Sequence, residues 1–191
     1  MPEIKSRPKW GKLDPAKQAS AHLVCAERGA IDAVARAFAG RPEVIGKTIL
    51  VHVAEGDAGA PASLAGVAYH PLPSRATALT AFRAHLGRAK MGTQLHLAGS
   101  EAFLNEASAL AHGCGVVGDG LTTELCGDPA RRVQCVHCKG MMDDVSASPV
   151  ACRHCGVNLM VRDHYSRRLG AFMGVCVDAE APGDLPAAAS F

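Results

Sequence analysis

Lys47-Thr-Ile-Leu-Val-His-Val53 indicates the fold most clearly, because it is an almost continuous apolar run that is rich in β-branched residues. A strand of this kind is typical of a parallel sheet that is buried on both faces. Further strands are predicted on either side of it along the chain, over residues 22–25, 66–70, 93–98 and 121–126. Helices are predicted between these strands over residues 30–39, 75–90 and 100–113. Strands that alternate with helices at this spacing predict a parallel α/β sheet with right-handed crossovers.

The composition is that of an ordinary globular protein. Hydrophobic residues make up 48% of the 191 residues and charged residues 20%. These proportions exclude long disordered regions, collagen-like repeats and coiled coils. No apolar run approaches the roughly 18 residues of a transmembrane helix, and the first residues lack the hydrophobic stretch of a signal peptide. We therefore expect a cytoplasmic protein that does not bind membranes.

The formal net charge of +2 is spread unevenly along the chain. Residues 129–170 carry seven basic and three acidic residues, whereas residues 13–128 are mildly acidic and contain no basic stripe. This distribution does not favour a nucleic-acid-binding protein. Four basic residues cluster near the end of the basic segment, and they form either a solvated face or a docking site for an acidic partner: Arg162, His164, Arg167 and Arg168.

The strongest motif is a pair of Cys-x-x-Cys sequences separated by 13 residues. They predict a metal site with four thiolate ligands, Cys135, Cys138, Cys152 and Cys155. Glycine follows each pair, at Gly140 and Gly156, which allows backbone N–H groups to point at sulfur. A site closed by four cysteines leaves no coordination position for a substrate, so its expected role is structural.

The metal is predicted to be zinc, with iron in a rubredoxin-like site as the alternative. Rubredoxin-like segments usually have more aromatic packing, and a proline where this chain has Arg153. A disulfide without metal ranks below both.

His137 and His154 lie inside the pairs and are expected to be exposed rather than ligating. The other cysteines are expected to be small buried hydrophobic residues: Cys25, Cys114, Cys126 and Cys176.

The chain is predicted to have four parts. They are a flexible N-terminal arm over residues 1–20, an α/β domain over 21–128, a metal-binding ribbon with its following segment over 129–175, and a mobile acidic tail over 176–191.

No catalytic residue and no cofactor-binding residue is predicted. The turn after the first strand, Cys25-Ala-Glu-Arg-Gly29, has one glycine where a dinucleotide-binding turn needs several. Glu27 in this turn would repel a pyrophosphate. No Ser/His/Asp order, paired carboxylates or Walker loop is present in the sequence, which disfavours catalysis by this chain alone.

Gly92-Thr-Gln-Leu-His-Leu-Ala-Gly-Ser-Glu-Ala-Phe-Leu-Asn-Glu-Ala107, together with residues 113–124, resembles the last strand–helix–strand unit of the nicotinamide-binding domain of ferredoxin-reductase-like flavoproteins. The family has Cys-Gly-Pro where this chain has Ala98-Gly99-Ser100, and its Gly-rich turn is replaced here by residues 25–29. The resemblance implies a Rossmann-like fold that has lost nucleotide binding. Glu124 falls at the family's C-terminal glutamate and is expected to be structural.

The Cys-x-x-Cys segment, with residues 164–174 and 178–183, resembles the DmmA-type subunit of bacterial dimethylamine monooxygenase, and the resemblance covers residues 22–183. It implies a complex that uses NADPH to demethylate dimethylamine to methylamine and formaldehyde. Haem would lie in a catalytic subunit, and flavin and an iron–sulfur cluster in a reductase subunit. This chain would be a small, non-catalytic metal-binding subunit with a zinc-ribbon or rubredoxin-like module, which assembles the complex or organises electron transfer.

The sequence also allows two other functions. One is an electron-transfer module that holds iron in the four-cysteine site. The other is a zinc ribbon that binds nucleic acid, which the acidic tail and the few aromatic residues disfavour.

Overall fold

The computed structural model describes residues 7–54, 59–116, 118–127 and 129–191. Its first half alternates strands and helices, in the order β1 (Ala21–Ala26), α1 (Ile31–Phe38), α2 (Pro42–Ile45), β2 (Thr48–Val53), β3 (Ala68–Leu72), α3 (Arg75–Leu86), β4 (Thr93–Gly99), α4 (Glu101–Gly113) and β5 (Leu121–Leu125). The five strands form one parallel sheet in the order β3-β2-β1-β4-β5. The predicted parallel α/β sheet is confirmed. The short helix α2, which begins at Pro42, was not predicted.

Helices cover both faces of this sheet, and β1 shows how the sequence produces two cores. Successive side chains of a strand point to opposite faces. Leu23 and Cys25 accordingly pack with α3 and α4 on one face, whereas Val24 and Ala26 pack with α1 on the other. The apolar run of β2 is buried because helices cover both faces of the sheet.

The helices α3 and α4 both begin at the carboxyl edge of the sheet, and a serine caps each of them. The Ser74 hydroxyl accepts a hydrogen bond from the Thr77 N–H at 3.2 Å, and the Ser100 hydroxyl accepts one from the Phe103 N–H at 3.3 Å. An N-cap hydroxyl satisfies one of the amide groups that the first turn of a helix leaves without a partner. The helix boundaries next to β3 and β4 are therefore set by local sequence.

The second half of the chain consists mainly of strands, namely β6 (Arg131–Cys135), β7 (Met141–Val145), β8 (Ala147–Ser148), β9 (Val150–Ala151), β10 (Asn158–Ser166), β11 (Ala171–Cys176) and β12 (Ala189–Ser190). Five of them form a mixed sheet in the order β7-β6-β11-β10-β9, in which β6 and β11 are parallel. Val133, Met142, Leu159 and Phe172 form its core. The four cysteines thus belong to a larger sheet than the small ribbon that was predicted, because β10 continues to Ser166 and pairs with β11.

The two sheets meet at α4, across a buried polar contact. Arg131 of β6 is 5% exposed, and its guanidinium lies 3.8 Å from Glu101 of α4 and 3.1 Å from Asp163 of β10. The same guanidinium lies over the rings of Phe172 and Phe191, at 4.6 and 3.9 Å from their centroids. The predicted boundary at residues 127–129 includes Asp128, which lies outside the described residues.

The arm over residues 1–20 differs from the predicted flexible segment in the part that the structure describes. Leu13 is buried in the α1 core, and the Gly11 N–H donates to the Thr123 carbonyl at 3.0 Å. The Leu13 N–H and the Lys12 ammonium both donate to Glu124 of β5. An apolar side chain and a buried carboxylate therefore hold this part of the arm beside β5.

The acidic tail also differs from the prediction of a mobile segment. Ala189 and Ser190 pair with β8, and the Phe191 N–H donates to the Ser146 carbonyl at 3.2 Å. The Phe191 ring packs with the core of the second sheet. One aromatic side chain thus holds the end of a largely exposed tail.

The cysteines outside the Cys-x-x-Cys pairs are not all buried. Cys25 is buried and Cys126 is half-buried, but Cys114 and Cys176 are exposed, which corrects the prediction for these two. Cys114 follows the last buried turn of α4, and Cys176 ends β11, where its thiol lies 3.4 Å from the Asp178 carboxylate.

Among the described helices, none combines the length and the apolar character that crossing a membrane requires.

Candidate metal centre

The four cysteines predicted to bind a metal come together in the second sheet. The sulfur atoms of Cys135, Cys138, Cys152 and Cys155 all lie within 4.8 Å of one another. The Sγ atoms of Cys135 and Cys155 are 3.8 Å apart, as are those of Cys138 and Cys152. Four sulfurs arranged tetrahedrally around zinc at about 2.3 Å have edges of about 3.8 Å. The spacing fits a tetrahedral ion with four thiolate ligands.

Two turns of the same design deliver these sulfurs. In the first, the Lys139 N–H donates to the Cys135 carbonyl at 2.9 Å, and in the second the Gly156 N–H donates to the Cys152 carbonyl at 2.9 Å. Lys139 and Gly156 occupy equivalent positions and have φ angles of 63° and 76°. The left-handed conformation lets the chain reverse within the turn. The Gly140 N–H then lies 3.4 Å from the Cys138 sulfur, as the position of this glycine predicted.

The centre is buried on one side and open on the other. Cys135 and Cys152 are buried, Cys155 is half-buried and Cys138 is exposed. His137 and His154 are exposed. The His154 ring bonds to the Met141 carbonyl at 2.8 Å rather than joining the sulfur cluster. Among the described residues, the four cysteines are therefore the group that could hold a metal ion, and Cys138 faces solvent.

Hydrogen bonds and neighbouring sulfurs shift the thiol pKa values in opposite directions. Burial opposes ionisation of Cys152, yet the N–H groups of His154 and Cys155 directed at its sulfur lower its pKa to about 6. The Val157 N–H favours ionisation of Cys155, but the three adjacent sulfurs raise its pKa to about 12. Four thiolates this close together repel one another unless a cation compensates their charge. A divalent metal supplies that charge, and both zinc and iron suit four sulfur ligands.

The four basic residues proposed for docking are exposed, and they do not form one compact cluster. Arg167 and Arg168 lie in the turn between β10 and β11 and line one groove. His164 lines a second groove beside the first cysteine turn. Arg162 lies on β10 before the bulge that precedes Tyr165, and it lines neither groove.

Glu27 occupies the carboxyl edge of the parallel sheet, between the ends of β1 and β4. Its carboxylate accepts a hydrogen bond from the Ser100 N–H at 2.8 Å, at the start of α4. Doubly wound sheets place ligand phosphates in this crevice, against the first turn of a helix. Burial opposes ionisation, but the Ser100 and Arg75 contacts hold the pKa of Glu27 below its usual value. In this chain an internal carboxylate takes the position of an anionic ligand.

Arg75 was not identified from the sequence, and it connects this edge to the second sheet. Its guanidinium lies 2.7 Å from Glu27 and 3.3 Å from Asp144 of β7. Asp144 has a φ of 57°, in the left-handed region. One local feature of the sequence points to Arg75: it directly follows the helix cap Ser74 and so begins a helix at the carboxyl edge of the parallel sheet.

Glu124, which was expected to be structural, is held by contacts from three parts of the chain. It is 2% exposed and accepts hydrogen bonds from Lys12, Leu13 and Arg36 at 2.6–3.0 Å. These contacts join the arm, α1 and β5.

Comparison with known proteins matches both halves of the chain. A family model described as the N-terminal domain of the dimethylamine monooxygenase subunit DmmA-like proteins matches residues 2–120, and the model of their C-terminal domain matches residues 132–175. The heme-dependent oxidative N-demethylase delta subunit of Ectopseudomonas mendocina (strain ymp) is 43% identical over 94 residues. That alignment covers 49% of this chain and 54% of the relative, about half the length of each. No solved structure matches the chain.

Proposed function

Since the chain belongs to the family of DmmA-like subunits of dimethylamine monooxygenase, we propose that it is a non-catalytic, metal-binding subunit of an N-demethylating oxygenase complex. The proposed reaction consumes dimethylamine, O₂, NADPH and a proton, and yields methylamine, formaldehyde, water and NADP⁺. Haem would lie in a catalytic subunit, and flavin and an iron–sulfur cluster in a reductase subunit. This chain would hold those two subunits together in the cytoplasm.

The relative supports a role within a complex. Its name describes the delta subunit of a heme-dependent oxidative N-demethylase, and both family models describe a monooxygenase subunit. An accessory role for this chain is further supported by the carboxyl edge of the parallel sheet, where Glu27 already occupies the place of an anionic ligand.

The observation that carries the proposal is the closed set of four sulfurs. Cys135, Cys138, Cys152 and Cys155 would hold zinc, which would join two turns that 13 residues separate in the sequence. The first turn follows β6 and the second precedes β10, and these strands do not pair with each other directly. Bridging them stabilises the second sheet, because binding energy at such a site is folding energy.

The exposure of Cys138 favours a second candidate function, transfer of electrons through iron in the same four sulfurs. An electron-transfer centre needs an edge that a partner can approach, and the described geometry provides one at Cys138. In this case the chain would lie on the path between the reductase and the haem subunit.

The proposal is tested by purifying the full chain alone and together with the haem and reductase subunits from the same organism. We expect one zinc per chain, a stable complex, and dimethylamine-dependent formaldehyde production that falls when this subunit is omitted. Iron together with a thiolate charge-transfer band that dithionite bleaches would establish the electron-transfer alternative. A chain that remains a solitary monomer and leaves demethylation unchanged would contradict the proposed function.

A further inference from the structure

Only some of the arginines that the structure describes lie beside a carboxylate. Arg36, Arg75, Arg131 and Arg132 each lie within 4 Å of a carboxylate. In contrast, Arg162, Arg167 and Arg168 are exposed and form no ion pair with any residue that the structure describes. The two adjacent cations, Arg167 and Arg168, therefore carry charge that the described part of the fold does not compensate.

The turn that carries Arg167 and Arg168 is held in a fixed conformation. The Gly170 N–H donates to the Ser166 carbonyl at 2.8 Å, and the Leu169 N–H donates to the Ser166 hydroxyl at 3.3 Å. Gly170 has a φ of 61° and packs so closely on the Asn105 backbone of α4 that a Cβ atom would not fit. A turn fixed in this way presents its two guanidinium groups without a large loss of backbone entropy on binding.

A groove lies on each side of this turn. One, of 420 Å³, runs between the turn and the end of α4, where His112 adds a third basic side chain to Arg167 and Arg168. The other, of 320 Å³, contains His164 and Lys139 above a floor that includes Leu169 and Met173. Among the side chains that the structure describes, which do not include that of Asp119, no carboxylate lines either groove.

The second groove adjoins the metal centre. Val136 and Lys139 line it, and both belong to the turn that carries Cys135 and Cys138. A segment bound across the 166–170 turn would therefore contact the first cysteine turn at one end and α4 at the other.

We propose that the 166–170 turn and its two grooves, here called the basic turn surface, bind an acidic segment of another subunit of the complex. The proposal rests on the proposed function, because it assumes that the chain works beside other subunits. Carboxylates of the segment would pair with Arg167 and Arg168, and an apolar side chain would lie on Leu169 and Met173. Complementary charges favour encounter and fix the orientation of the partners.

A protein partner fits this surface better than a nucleic acid. Binding to nucleic acid relies on an extended basic field and on aromatic side chains that stack with bases. Here the tail carries three acidic and no basic residues. Of the two aromatic residues that line the second groove, Phe172 is fully buried and Tyr165 is half-buried against the core. The surface offers a local pair of arginines beside an apolar floor, which suits an acidic peptide.

The test compares two double charge reversals in the full chain. R167E/R168E alters the basic turn surface, whereas R83E/R88E makes the same change in net charge at exposed arginines at the end of α3. Binding of each variant to the purified haem and reductase subunits is measured at low and moderate salt. We expect R167E/R168E to weaken binding to one subunit by at least about tenfold at low salt, and R83E/R88E to change it by less than about twofold.

Metal content and thermal unfolding are measured in both variants and are expected to match the wild-type chain. Equal weakening by both variants, or unchanged binding of R167E/R168E, would overturn the proposal. A labelled oligoglutamate peptide tests the surface without the other subunits, and its salt-dependent binding should disappear in R167E/R168E alone.

If the wild-type chain binds the peptide but neither subunit, the proposed function fails while the basic turn surface stands. If it binds neither the peptide nor a subunit, or prefers a labelled single-stranded oligonucleotide, the docking proposal is wrong.

Discussion

Arg75 lies 2.7 Å from the Glu27 carboxylate, and these two residues connect the carboxyl edge of the parallel sheet to the beginning of α3. The guanidinium also reaches Asp144 of the second sheet at 3.3 Å. Both Arg75 and Glu27 are largely buried, so their interaction is less exposed to solvent than an ordinary surface ion pair. One side chain therefore contributes to the packing of both sheets.

Arg75→Gln is expected to lower the free energy of unfolding by about 1–2 kcal/mol, because it leaves a largely buried carboxylate without its charged partner. Equilibrium denaturation in urea measures the change. Arg83→Gln, at an exposed position of the same helix, is the control and should change stability by less than about 0.5 kcal/mol. Equal stability of the two variants would show that the contact contributes nothing.

Cys135→Ser is expected to abolish binding of the metal and to destabilise the second sheet, since formation of the site contributes to folding. Elemental analysis and limited proteolysis measure these effects. Cys176→Ser is the control, because Cys176 is an exposed cysteine outside the sulfur cluster. Unchanged metal content and protease resistance in the Cys135 variant would contradict the assignment of four thiolate ligands.

The buried pair His22 and His96 is expected to make stability depend on pH. Their rings are joined by a 3.0 Å contact between Nδ1 of His22 and Nε2 of His96. Burial and nearby cations lower the pKa of His22 to about 4 and that of His96 to about 3. The unfolded chain takes up protons near pH 6.5, and the folded chain does so only at lower pH.

The contribution of this pair is therefore fully present above about pH 6.5 and is lost as the pH falls toward 4 and then 3, by up to about 1.4 kcal/mol per pH unit for each proton. Denaturation curves at pH 7, 6 and 5 measure the slope. His22→Gln should reduce this slope, while His137→Gln, at an exposed histidine, should not. If the slope is the same in the wild-type chain and in His22→Gln, the His22–His96 pair does not cause the pH dependence of stability.

Glu124→Gln is expected to release the arm from β5. The carboxylate accepts hydrogen bonds from Lys12, Leu13 and Arg36, and its loss weakens all three contacts. We expect tryptic cleavage after Lys12 to accelerate about tenfold or more, as it would for a local loss of at least about 1.4 kcal/mol. Glu180→Gln, which removes an exposed carboxylate of the acidic tail, should leave the rate unchanged. An unaltered rate in the Glu124 variant would mean that the other contacts of the arm, which include Leu13 and the Gly11 N–H, hold it without Glu124.

The parallel sheet and the four-cysteine site were accessible from the sequence because short patterns encode them. The apolar run of β2 predicts a buried parallel strand by itself, and the Cys-x-x-Cys pairs define a ligand set by their spacing. The Ser74 cap and the buried face of α3 could be predicted as well, because both depend on residues within one short segment.

Contacts between distant parts of the chain were not accessible in this way. Arg75 is 48 residues from Glu27 and 69 residues from Asp144, and no local pattern links these positions. The parallel pairing of β6 with β11 and the packing of Phe191 on Arg131 likewise depend on how the two sheets fold together. Residue type alone was also insufficient for Cys114 and Cys176, since both lie at the ends of elements where side chains reach solvent.

The position of Arg131 between the two sheets makes the stability of each half of this chain depend on the other. Its guanidinium contacts Glu101 from the first half of the chain, and Asp163, Phe172 and Phe191 from the second. A substitution of Glu101 in the first half therefore changes the surroundings of a charge that is buried in the second half. The two halves of this chain are coupled in stability through one guanidinium, although separate family models match them.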